Sequence, residues 1–190
     1  MQRLFSTLAL ALVAALTLAA CGSTDSSSSS SSQVNNADVT FAQSMIPHHR
    51  QAVQMAKMAK MHASTTQVKT LADKTQVAQG PEIETMTGWL QQWGKKGPSG
   101  SMSGMSGMDM GSMPGMMSDQ ETKRLGSATG ATFDRMWLTM MIRHHTGAVA
   151  MARTEQATGK NADAVALARK IEAAQTAEIA QMKTLLRRAS

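Results

Sequence analysis

Tyrosine is missing from this chain, and three tryptophans and three phenylalanines are the whole aromatic complement of 190 residues. Strands draw on aromatic and β-branched side chains, so the shortage argues against a sheet. The abundance of alanine and methionine argues for helices. Cysteine occurs once, at Cys21, which excludes an internal disulfide. Clustered basic residues are also lacking. Lys and Arg outnumber Asp and Glu by 19 to 13, but they are scattered, with short pairs such as Lys95-Lys96 and Arg187-Arg188. A nucleic-acid surface needs clustering, so the charge reads as a solvated face and no nucleic-acid partner is expected. No nucleophile–base pair or cofactor motif points to an enzyme.

A long apolar run is absent too. The run at residues 8–18 is too short for a permanent bilayer span. With Arg3 before it and Leu18-Ala19-Ala20-Cys21 at its end, it reads as a lipoprotein signal over residues 1–20. Cys21 then becomes the lipidated first residue of the mature protein. The alternative is an ordinary secretory signal with an incidental cysteine. Several acyl chains on one cysteine suffice for stable anchoring. Residues 21–36, rich in serine, form a polar tether. The expected location is the outer face of the cell membrane.

What is present is a repeat. Sliding the chain by 96 residues lays FAQSMIPHHRQAVQMA on WLTMMIRHHTGAVAMA. Met45, Ile46, His48, His49, Ala52, Val53, Met55 and Ala56 meet identical residues at Met141, Ile142, His144, His145, Ala148, Val149, Met151 and Ala152. The same offset matches Asp38 with Asp134, Gln79 with Gln175, Glu82 with Glu178, Met86 with Met182 and Leu90 with Leu186. A constant offset over about fifty residues marks two copies of one helical hairpin. The hairpins occupy residues 37–93 and 119–190, joined by a Met/Gly/Ser-rich linker over 94–118. Helices are expected over 37–62, from a cap at Ser64 or Thr65 to about Trp93, over 131–158 until Gly159, and from Asn161 or Asp163 to Arg188. Residues 119–126 add a short helix. A hairpin alone cannot cover its apolar face, so the expected fold is one all-α four-helix bundle over 37–190. Pro47 and Pro81 fall inside predicted helices, where proline usually kinks; the alternative for the second is that helix two restarts at Gly80-Pro81. Their counterparts are Arg143 and Ala177, so neither proline is needed for what the repeat does.

At 100° per residue, Asp38, Phe41, Met45, His48, His49, Ala52, Met55, Ala56 and Ala59 share one inward stripe. Gln79, Glu82, Met86, Trp89 and Trp93 form its partner on the next helix. A plain core would use leucine and isoleucine there. One reading is that each histidine bonds to Glu82 or Glu178 and merely satisfies itself. The other is metal ligation. Imidazole suits copper, zinc, iron and nickel, while thioether selects soft Cu(I). Met45 lies three and four residues before His48 and His49, so both types can reach one ion. The candidate bundle ligands are Met45, His48, His49, Met55, Glu82 and Met86, and their counterparts Met141, His144, His145, Met151, Glu178 and Met182. Adjacent histidines cannot point the same way, so one of each pair can serve its own hairpin and the other the opposite one. His62 is read as a surface residue.

The linker carries seven methionines: Met102, Met105, Met108, Met110, Met113, Met116 and Met117. Exposed thioethers gain no burial and oxidise easily outside the cell. On a flexible chain they can gather round Cu(I) or Ag(I); alternatively they pack on the bundle as adaptable filler. Di-iron chemistry is disfavoured, because such bundles use Glu-x-x-His and none occurs here.

Two copies of Met-Ile-x-His-His-x-x-Ala-Val-x-Met-Ala, each followed by Gln-x-x-Glu-Ile-x-x-Met, resemble the domain of unknown function 305 family. The likeness implies a ferritin-like four-helix fold, export and, for some members, copper binding and copper tolerance. The expected function is an extracytoplasmic copper-binding lipoprotein that sequesters copper or transfers it to a copper-handling partner protein. Cu(I) is favoured, with Cu(II) or Ag(I) as further possibilities. The alternative is a non-catalytic envelope interaction or stress lipoprotein with a structural His/Met/Glu core and no metal.

Overall fold

The computed structural model describes residues 33–98 and 113–188. Cys21, most of the tether, and Met102, Met105, Met108 and Met110 lie outside the described residues. Among the described residues the chain forms helices α1 (Asn36–His62), α2 (Thr66–Gln92), α3 (Asp119–Ser127), α4 (Gly130–Thr158) and α5 (Ala162–Arg188). Four of the five helix starts carry a side-chain cap, and Thr129 before α4 makes none. Asn35 caps α1 by accepting from the Ala37 and Asp38 amides, while the Asp38 carboxylate accepts from the Asn35 amide. Thr65 caps α2 through the Val68 amide. Ser118 and Glu121 make a second capping box at α3. The Asn161 side chain accepts from the Ala164 amide at the start of α5.

α1 packs on α2 and α4 packs on α5, giving the two hairpins, and α1 against α4 is the main contact between them. The short α3 rests on α1 and α4. The predicted inward stripe on α1, from Asp38 to Ala59, is buried throughout. Both α1 and α2 run through their prolines without a break. Proline inside a helix costs roughly 3 kcal/mol, and here the turns on either side are held by packing that overrides that local cost. α2 therefore does not restart at Gly80-Pro81. Glu82 and Met86 keep the register of Glu178 and Met182.

The hairpins are locked by a reciprocal clamp. Asp134 of α4 accepts hydrogen bonds from the amides and hydroxyls of both Ser64 and Thr65, in the α1–α2 connection, at 2.8–3.0 Å. Asp38 of α1 accepts from the Lys160 and Asn161 amides, in the α4–α5 connection, at 3.0 and 2.9 Å. Burial alone would raise both carboxyls, but these bonds outweigh it and hold Asp38 and Asp134 below the usual aspartate value. Each repeat thus uses the same aspartate to hold the turn of the other. The pattern read these two as polar residues of the inward stripe; their observed work is to fix the hairpins together.

Candidate metal centre

The inner helices α1 and α4 carry the four paired histidines, and all four are fully buried. Adjacent residues on a helix point about 100° apart, so the members of each pair face different neighbours. The second member turns to its own hairpin. His49 Nε2–H donates to Glu82 at 2.7 Å, and His145 Nε2–H to Glu178 at 2.5 Å. The first member turns to the other hairpin. The His48 and His144 rings stack with centroids 3.7 Å apart and planes tilted by 35°. His48 Nε2–H also donates to the Pro114 carbonyl at 3.1 Å.

These partners settle which nitrogen keeps its lone pair. A carbonyl can only accept, so His48 carries its proton on Nε2 and leaves Nδ1 free. The glutamates do the same for His49 and His145. The Nδ1 atoms of His48, His49, His144 and His145 are buried with no hydrogen-bond partner, as is Nε2 of His144. Each unsatisfied buried polar group costs roughly 1–3 kcal/mol, so four such rings in one layer are a cost that the fold alone does not repay. Burial, with the neighbouring His49 adding, pushes His48 down to about 3, and burial with His48 pushes His144 well below its ordinary value. Both rings stay neutral near pH 7, the form that ligates metal.

The motif methionines divide between the two core clusters. Met45 and Met86 of the first hairpin share a core cluster with Met151 of the second. Met141 and Met182 of the second share the other cluster with Met55 of the first. Of these six motif methionines, each hairpin contributes two to one cluster and one to the other, as the repeat's pseudo-two-fold requires. All are fully buried except Met151, which is half-buried. Glu82 and Glu178, about one-fifth exposed, sit on the outer nitrogens of His49 and His145. Such carboxylates orient imidazoles and fix their tautomer in metal sites. Among the described residues no three His, Cys, Asp or Glu side chains converge as a metal cage. Imidazole and thioether, the side chains buried here, suit a soft ion better than a hard one.

The linker end is docked on this centre. Gln51 donates to the Met117 carbonyl at 2.8 Å and accepts from its amide at 2.7 Å. Gly147 faces the Pro114 carbonyl so closely that a Cβ would collide with it, and Gly115 at φ 81° packs on the α4 backbone. Arg143 ties down α3 and the linker together, donating to Glu121 at 2.6 Å and to the Met117 sulfur at 2.8 Å. Met116 and Met117 are buried and Met113 is half-buried. Met116 and Met117 thus pack as apolar filler. His62 stacks on Phe133 with centroids 5.6 Å apart. Pattern reading missed Gln51, Arg143, Gly147 and the buried Glu155. Their signal was there: each is a position where the two copies differ, opposite Gly147, Pro47, Gln51 and Ala59.

Residues 38–186 match the profile of the domain of unknown function (DUF305). Among solved structures, the chain is similar to a DUF305 protein from Streptomyces coelicolor, provisionally named as secreted, at 34% identity and TM-score 0.71, covering 80% of this chain and 93% of that one. A DUF305 fragment from Deinococcus radiodurans is 31% identical at TM-score 0.70, covering 82% and 98%. CopM in its Cu(I)-bound form is 31% identical at TM-score 0.66, covering 80% and 96%, and CopM has also been solved with Cu(II) and with Ag bound. No curated protein matches the chain at a significant level. No helix among the described residues is long and apolar enough to cross a membrane. The doubled histidine motif, the two helical hairpins and the match over residues 38–186 agree: the chain belongs to the DUF305 family.

Proposed function

We propose that this chain is an exported copper-binding protein that sequesters copper or hands it to a partner, with no catalytic activity of its own. The observation that carries this reading is the set of buried imidazole nitrogens left without partners, in a bundle whose two core clusters are both rich in methionine. The likeness to CopM, solved with Cu(I), Cu(II) and Ag, supports it. The ligand set is His48, His49, His144 and His145 with Met45, Met86 and Met151 on one side and Met55, Met141 and Met182 on the other. Glu82 and Glu178 hold the second histidines in place. Thioether donors favour Cu(I), and Ag(I) follows the same chemistry. Lipidation of Cys21 ties the domain to the outer face of the membrane, and the linker methionines before Met116 collect the ion. The metal-free alternative accounts for the His49–Glu82 and His145–Glu178 bonds, but those bonds satisfy one nitrogen of each ring and leave the other without a partner.

The test is a copper titration with thermal unfolding. A native-state ligand at 100 times its Kd stabilises by about 2.7 kcal/mol, roughly 5–10 °C for a domain of this size. Wild-type protein should show that rise with Cu(I). A variant with His48, His49, His144 and His145 all replaced by alanine should not. Equal uptake and equal stabilisation in both would remove the bundle site.

A further inference from the structure

Where α1 crosses α4, the first histidine of each pair lies under a strap of non-helical chain, residues 113–118. Its Pro114 carbonyl accepts from His48 Nε2–H at 3.1 Å. Gly115, at φ 81°, lies on the backbone of Arg143 and His144, where a Cβ would stand 2.6 Å from the Arg143 carbonyl oxygen. The strap therefore straddles the place where the His48 and His144 rings stack. On its outer side Pro114 is exposed and, with Met113, lines an open cavity of about 470 Å³ whose other walls are α1 and α4. One residue thus separates open space from a buried imidazole.

The strap is fastened by side chains. Gln51 makes two hydrogen bonds to the Met117 backbone, and Arg143 makes one to the Met117 sulfur. Gly147 leaves the space into which the Pro114 carbonyl fits. Gln51 and Gly147 are each other's counterparts in the repeat, so the strap fits the seam one way round. A helix is held by a ladder of backbone bonds along its length. A segment held by a few side-chain bonds opens at a lower free energy.

We propose that residues 113–118 are a gate over His48 and His144, and that Gln51 and Gly147 are positioning residues that set how often it opens. The inference rests on the copper-binding reading and adds to it the route of the ion: in from the cavity, past Pro114, to the first histidines. Closed, the Pro114 carbonyl keeps the His48 proton on Nε2 and leaves Nδ1 as the free donor atom. Open, the strap uncovers the stacked rings. A gate closed over both the empty and the loaded site sets uptake and release together and leaves affinity unaltered. The rival route runs past Glu82 and Glu178 on the second histidines.

Full-length protein loaded with Cu(I) under argon is mixed with excess chromophoric Cu(I) chelator. Release is followed by stopped flow, and Kd by equilibrium competition. The phase missing from His48→Ala/His144→Ala is that of the bundle ion. In wild-type protein its rate should level off as chelator concentration rises, because opening comes first. Gln51→Ala should release about tenfold faster with Kd unchanged, as the loss of its bonds to Met117 implies. Gly147→Ala, which pushes the Pro114 carbonyl off, should do likewise. Thr65→Ala, which loses two hydrogen bonds beyond the end of α1, should release as wild type. If both strap variants release at the wild-type rate, if Thr65→Ala speeds release as much as they do, or if Kd weakens in step with release, the gate is wrong and the copper reading stands. Faster release in Glu82→Gln/Glu178→Gln alone would also overturn the gate and move the route to the second histidines. A wild-type rate that climbs in proportion to chelator overturns it too, and that measurement decides alone should a variant fail to fold. If wild-type protein binds no Cu(I), both readings fall.

Discussion

The two hairpins share one pattern of histidine, methionine and aspartate, yet they meet the rest of the chain differently. Where they agree, they build paired features: the stacked His48 and His144, the reciprocal clamps of Asp38 and Asp134, and the two methionine-bearing core clusters. Where they differ, they accommodate what has no duplicate. Gln51 grips the linker that Gly147 makes room for, and Arg143 holds α3 where Pro47 has no charge to offer. Identity between copies thus marks the centre, and divergence marks its surroundings.

The sharpest way to break the comparison is at the clamps. Asp134→Ala strips the acceptor from four donors and should cost roughly 3–4 kcal/mol. Asp38→Ala should cost roughly 2 kcal/mol, because it also relieves the crowding of Glu155 by a second carboxyl. Urea unfolding measures both, and equal losses would deny the asymmetry. Acid sharpens the same point. Asp134 is held below its unfolded value of 3.8, so its contribution is present above that pH and is lost as pH falls through the lowered folded value. Asp134→Asn should flatten that acid limb.

Glu155 against Ala59 gives the next effect. Burial, with the Asp38 carboxylate adding, raises Glu155 from 4.5 to about 8. The folded protein then holds a proton that the unfolded chain has released, so stability falls as pH rises from 4.5 towards 8. Glu155→Gln removes that slope. It should raise Tm by about 3–6 °C near pH 7.5 and leave it unchanged near pH 4. A uniform gain at both pH values would mean that charge is not the cause.

Gly147 and Gln51 come third. Gly147→Ala forces the Pro114 backbone away and should cost about 2 kcal/mol, against the usual gain of alanine over glycine in a helix. Gln51→Ala breaks two bonds to Met117 and should cost about 1–2 kcal/mol. Hydrogen exchange at Met117 should rise in both. The smallest effect is at Pro81. Replacing it by alanine, as at Ala177, should stabilise α2 by about 1 kcal/mol and leave copper uptake unchanged. Loss of copper uptake would give the proline a role that its counterpart lacks.

Much of the fold was legible beforehand because its signals are local. Helix limits fell at Thr65, Ser118, Gly159 and Asn161, residues whose side chains or flexibility end helices in any context. The continuity of α1 and α2 was less legible, since Pro47 and Pro81 are local penalties outweighed by long-range packing. The docking of Met116 and Met117 was legible only as one of two alternatives for the linker methionines, since a Gly/Ser/Met stretch carries no period to choose between them.

By itself, the amino-acid order determined two hairpins, their register 96 residues apart, and an inward face bearing histidine, methionine and aspartate. Each follows from helical periodicity and self-similarity, which need no knowledge of what lies opposite. Only the tertiary structure decided which histidine does what. Neighbouring residues on a helix diverge by about 100°, so a His-His pair must address two partners, and the crossing of α1 with α4 chooses them. It sets His48 against His144, leaves His49 and His145 to their own glutamates, and mixes methionines of both hairpins in each core cluster.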